Sequence, residues 1–122
     1  MHGKLLALFL VLAGLAVSAG SAYGHGHLAS AVPPADGKAA EVREIRLAFS
    51  EAVEPRLSTI RLETLEERTV TEPAAEVDPA DSKVLAVHLY EKLPPGQYRV
   101  RWVAVTADGH RMSGSYLFLV SR

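Results

Sequence analysis

Two short stretches hold the residues able to bind a metal. His25-Gly26-His27-Leu28 follows an apolar leader, and Asp108-Gly109-His110 lies near the C-terminus. Removing the leader after Gly24 makes His25 the first residue of the mature chain and frees its α-amino group beside its own imidazole. Amine and Nδ1 of one histidine then close a favourable ring on a cation. The amine has a reference pKa of about 7.7–8.0, so proton loss opposes binding little at neutral pH. In an extended segment, residues two apart project to the same side. Asp108 and His110 therefore converge, and Gly109 lets the backbone approach closely. Three nitrogens in a T and one carboxylate oxygen suit tetragonal Cu(II), the ion at the top of the divalent affinity order. One Cu(II) per chain is the expectation.

Each piece alone has a plainer reading. Asp-Gly between β-runs is most often a turn, and a single surface histidine usually has no special role. His2 leaves with the leader, and His88 sits in an apolar strand and reads as structural. His27 offers a competing geometry, in which the amine, two deprotonated backbone amides and its own imidazole hold Cu(II) unaided. If Leu28 begins a strand, backbone ordering opposes that wrap. The inter-strand set of His25, Asp108 and His110 is then favoured, with His27 as a candidate auxiliary ligand.

The site depends on export. Met1-His2-Gly3-Lys4 is a short basic opening, Leu5 to Val17 is apolar apart from one Gly, and Ala22 and Gly24 occupy the −3 and −1 positions of a small-x-small cleavage site. These are the three regions of a secretory signal. The apolar run is shorter than the roughly 20 residues that span a bilayer. Residues 1–24 are thus expected to be a signal peptide and 25–122 one domain. Cleavage after Ala22 is the competing register, and it would abolish the site.

Removing 24 of 122 residues leaves 98, enough for one modest core. Without Lys4 the mature chain has 12 basic and 14 acidic residues, scattered singly. Nucleic-acid binding needs clustered Lys and Arg, so it is set aside. The chain has no cysteine, which removes disulfides and the usual thiolate zinc sites.

The elements that must position these ligands are strands. Ile45, Leu47 and Phe49 alternate with polar or small neighbours, as do Ile60 and Leu62, and Tyr98, Val100, Trp102 and Ala104. Val84–Leu89 and Ser115–Val120 are denser, as for strands covered on both sides. Turn signals separate the runs: Pro33-Pro34-Ala35-Asp36-Gly37, Glu54-Pro55, Asp78-Pro79-Ala80-Asp81 and Pro94-Pro95-Gly96. Ala39–Arg46 hints at helix, but Val42, Ile45 and Leu47 fit strand spacing better. An all-β antiparallel sandwich follows.

Taken together, several segments resemble the CopC family of periplasmic copper-binding proteins. They are His25-Gly26-His27-Leu28 followed by Pro34-Ala35-Asp36-Gly37, Leu47-Ala48-Phe49-Ser50-Glu51, Pro95 to Trp102, and Asp108-Gly109-His110 with Gly114. The resemblance covers nearly the whole mature chain. It implies a seven-stranded Greek-key sandwich, cupredoxin-like or immunoglobulin-like. It also implies Cu(II) held by the N-terminal histidine through amine and ring, with an aspartate and a histidine of an Asp-x-His element. Those roles carry over onto His25, Asp108 and His110, and Glu51 matches a family glutamate lying near the metal without binding it.

Two departures stand out. Some family members carry a Met-rich Cu(I) site, whereas the mature chain keeps only Met112, expected in packing. Pro33 is an extra residue between Leu28 and Ala35 and bears on how His25 is aimed. The expected function is a monomeric Cu(II) carrier or buffer in the periplasm or an equivalent space, in copper homeostasis or resistance, and not an enzyme. The family suggests a CopD-type inner-membrane partner. The alternatives are a copper-brace oxidative enzyme and a structural sandwich without metal.

Overall fold

In the computed structural model, residues 27–70 and 72–121 are described. The proposed signal peptide and His25 lie outside them. Eight strands form two sheets: β1 (Leu28–Val32), β2 (Lys38–Ala39), β3 (Glu44–Phe49), β4 (Thr59–Thr64), β5 (Glu76–Asp78), β6 (Asp81–His88), β7 (Gly96–Val105) and β8 (Arg111–Val120). One sheet has the order β1-β3-β6-β5 and the other β2-β8-β7-β4. The chain crosses between sheets after β1, β2, β3, β4 and β6, while the β5–β6 and β7–β8 pairs are antiparallel neighbours. The seven-stranded expectation holds for the main strands. The eighth, β2, is two residues long and runs parallel to β8. No helix among the described residues is long and apolar enough to cross a membrane.

The period-two pattern dictates the core. Ile45, Leu47 and Phe49 of β3 are buried against Ile60 and Leu62 of β4, Leu85 and Val87 of β6, and Tyr98, Val100, Trp102 and Ala104 of β7. Tyr116, Phe118 and Val120 complete it from β8. Phe49 meets the Trp102 ring edge-on with centroids 5.2 Å apart. Such pairs add about 0.5–1.5 kcal/mol beyond area burial.

The two dense runs part ways. Val84–Val87 of β6 are all buried, as expected. Ala86, on the outer face, lies between Arg46 and Glu76 in register, where Arg46 reaches Asp78 Oδ2 at 2.6 Å. β8 instead alternates, with Leu117 and Leu119 only half-buried. A two-layer sandwich has no third layer to cover the outside of that sheet. His88 ends β6 exposed to solvent, opposite Glu44 and with Nδ1 3.8 Å from Glu44 Oε2. It is a surface cross-strand residue and contributes nothing to the core. Met112 packs against the core as expected.

One acidic side chain sits uneasily. Glu72 borders a groove of about 610 Å³ with Pro55, Ser58, Ile60 and Glu76, and its Oε2 is buried without a hydrogen-bond partner among the described residues. Burial pushes its carboxyl up to about 7, partly offset by a main-chain hydrogen bond from Leu62 and by Arg61. Between the ordinary glutamate range and that value, the folded chain keeps a proton that the unfolded chain has lost. Stability therefore falls as pH rises through this window. Urea midpoints at about pH 5 and about pH 8 are expected to differ less in Glu72→Gln than in the wild type.

Candidate metal centre

The Asp108–His110 turn is built by the residue before it. Thr106 is buried, and its hydroxyl donates to Asp108 Oδ1. The Thr106 hydroxyl oxygen in turn accepts the His110 N–H at 3.2 Å. Main-chain bonds close the loop, with Gly109 N–H to Thr106 O at 2.9 Å and Thr106 N–H to His110 O at 2.8 Å. Gly109 lies at φ 94°, a left-handed conformation that favours glycine. The turn presents both predicted ligands together, with His110 Nδ1 3.0 Å from Asp108 Oδ2. Both side chains are more than half exposed (55% and 54%), so an arriving ion can reach them.

That separation is chemically useful. Two ligands about 2.0 Å from one ion and at right angles stand about 2.8 Å apart. The pair can thus occupy adjacent positions on a metal with little movement, or stay hydrogen-bonded without one. The Asp108 carboxyl is held below the usual carboxylate range, first by the Thr106 hydroxyl and then by His110. It is ionised at neutral pH and ready to bind a cation.

A single segment connects this turn to the start of the domain. At its near end, Ser50 N–H donates to His27 O at 2.9 Å. Two residues on, Ala52 O accepts Ala107 N–H at 3.0 Å, and Val53 bridges Thr106. Residues 50–53 therefore anchor both His27 and the base of the 106–110 turn. Glu51 sits between the two anchor points, half-buried and with no hydrogen bond to Asp108 or His110 among the described residues. Pro33 leaves β1 paired, with Ala31 opposite Leu47 and Val32 opposite Arg46.

Among the described residues, no three His, Asp or Glu side chains converge on one point. Asp108 and His110 do come together. His25, the third expected member, falls outside the described residues. Sequence reasoning missed Thr106 and Ser50. A Thr two residues before Asp-Gly is a signal for a side-chain-braced turn, whereas Ser50 carried no such mark. Thr106→Val is expected to cost on the order of 1–3 kcal/mol in stability by stranding the Asp108 and His110 partners of a buried hydroxyl. Thermal unfolding of the two proteins measures it.

The sequence matches the family model described as the CopC domain over residues 28–121. The chain belongs to the CopC family. Copper resistance protein C of Escherichia coli is 38% identical over 106 residues, covering 82% of this chain and 84% of that protein. Among solved structures, CopC from Methylosinus trichosporium OB3b superposes with a TM-score of 0.73 at 30% identity, covering 80% of this chain and 94% of that one. PcoC from Escherichia coli, described as a methionine-rich copper resistance protein, gives 0.70 at 34% identity, covering 80% of this chain and all of that one. The β-sandwich of this CopC domain is thus the fold of its relatives. Its 106–110 turn lies within the matched span.

Proposed function

We propose that the mature CopC chain is a Cu(II) carrier or buffer of the periplasm or an equivalent extracytoplasmic space. It holds one ion through the His25 amine and ring, the Asp108 carboxylate and His110. The observation that carries this reading is the shared anchoring of His27 and Ala107 on residues 50–53. His25 precedes His27 by two residues, a chain length of at most about 7 Å. His25 is therefore no more than two residues of chain from a segment that also anchors the base of the 106–110 turn. Copper resistance and copper transport in the names of relatives agree with this chemistry. Glu51, between the anchors, is suited to an outer role around the ion.

Carriage fits better than oxidative catalysis. Five of the six aromatic residues among those described are buried, and only Tyr90 is exposed, so the sandwich presents no broad aromatic face for a polysaccharide. Asp108 also takes a coordination position that a copper-brace enzyme would keep open. Release follows reduction, since Cu(I) prefers soft thioether ligands and Met112 is committed to packing. A CopD-type membrane protein is the proposed recipient, with the carrier acting as a monomer. After one equivalent of Cu(II), the EPR spectrum of wild type is expected to show one more nitrogen ligand than that of His110→Ala. The variant should bind about a hundredfold more weakly. Identical spectra would remove His110 from the site.

A further inference from the structure

Ser50 holds the main chain of His27 at both of its polar groups. The Ser50 N–H donates to His27 O at 2.9 Å, as strand pairing continued from Leu28 opposite Phe49 requires. The other bond is not part of the ladder: His27 N–H donates to Ser50 Oγ at 2.9 Å. A side chain therefore claims the one main-chain hydrogen on His27.

That hydrogen matters for copper. A free-amine His-Gly-His sequence has a self-contained way to bind Cu(II), using the amine, the Gly26 and His27 amide nitrogens and the His27 imidazole in one plane. In this wrap the ion takes the place of the hydrogen on each amide nitrogen, and both protons pass to solvent. The wrap needs no Asp108 and no His110. It does need the His27 amide nitrogen, whose hydrogen here points at Ser50 Oγ. The bond from Ser50 N–H to His27 O holds the same residue beside the end of β3.

We propose that Ser50 selects the copper-binding mode: by engaging both main-chain groups of His27, it withholds that amide from the metal and directs the ion to the 108–110 turn. Ser50 is a positioning residue and touches no metal. The inference rests on the inter-strand site proposed above, and it makes the His27 imidazole a bystander in the wild type. A hydrogen bond of ordinary strength shifts such an equilibrium by roughly twofold to tenfold. Loss of the hydroxyl should therefore give a measurable population of the wrap.

The test uses the processed chain loaded with one equivalent of Cu(II), read by visible absorption and EPR. Ser50→Ala is expected to move the absorption band to shorter wavelength, because amide nitrogens are strong-field ligands, and to raise the count of bound nitrogens. Its affinity should also depend less on His110→Ala than that of the wild type. Ser50→Thr, which keeps the hydroxyl, should retain the wild-type spectrum, and His27→Ala should abolish the new band in the Ser50→Ala background. A purely structural role would lower stability in Ser50→Ala and leave the ligand set unchanged, which overturns the inference. In the wild-type background, His27→Ala should change neither spectrum nor affinity. Loss of a nitrogen there refutes it even if Ser50→Ala fails to fold. Should the wild type itself be indifferent to His110→Ala, the inter-strand site and the role of Ser50 fall together.

Discussion

One glycine left ahead of His25 in the purified chain is expected to weaken Cu(II) binding on the order of a thousandfold, about 4 kcal/mol. The extension turns the amine into a peptide nitrogen and removes its chelate ring, while His25, Asp108 and His110 all remain. Loss of an outer partner of a metal ligand costs about 10- to 100-fold. Loss of a direct ligand, together with its ring, must exceed that. The fold from His27 onward has no reason to change, so unfolding midpoints should coincide. A pH signature accompanies the loss. Below about pH 7.7 the free amine takes up a proton that copper must displace, so wild-type affinity falls there more steeply than that of the extended chain. Competition titration against a chelator across this range decides the matter. Equal affinity for the two chains would show that the amine is no ligand, and the proposed site would fail.

What the sequence could and could not reveal follows from the physics of each feature. Strand alternation is legible because period two survives without any knowledge of partners: Ile45, Leu47 and Phe49 had to face one way, and all three are buried. The Asp108–His110 pairing arises by a different route from the extended spacing expected of it: both residues lie on the β7–β8 turn, where the Thr106 hydroxyl and left-handed Gly109 bring them together. Thr106 and Ser50 were not legible. Both look like ordinary polar residues near strand ends, and their roles arise from hydrogen bonds to residues that folding brings close. Ser50 meets His27 only because β3 lies beside β1. Density of apolar residues proved ambiguous, since it marked burial on both faces in β6 but only on one in β8. What covers an outer face is set by the number of layers, which no single strand encodes.

The same logic separates where the site's specificity resides from where its stability resides. The turn that carries Asp108 and His110 is exposed, and its geometry comes from one buried hydroxyl and a left-handed glycine. The segment that aligns it with His27 begins immediately after Phe49, whose ring is fixed against Trp102. Ligand placement is therefore borrowed from the core through two residues of chain.

Trp102 is where that dependence is greatest. It is 8% exposed, meets Phe49 edge-on and lies opposite Gly114 in the β7–β8 register. A Cβ at position 114 would stand 2.6 Å from Trp102 Cζ2 and 2.8 Å from Cε2, so the indole occupies the space a side chain would need. Trp102→Ala is expected to cost about 3–5 kcal/mol, for lost burial and the cavity left behind. Gly114→Ala alone should cost about 1–3 kcal/mol, because the ring must move within a packed core. In the Trp102→Ala background the clash is gone, and Ala is favoured over Gly in a strand by roughly 0.5–1 kcal/mol. The second substitution should then be neutral or stabilising, a coupling on the order of 2 kcal/mol in a double-mutant cycle. Denaturant unfolding of the four proteins measures it. Additive costs would mean that Gly114 is needed for its backbone alone, and that the indole does not brace the strand pair whose hairpin turn presents Asp108 and His110.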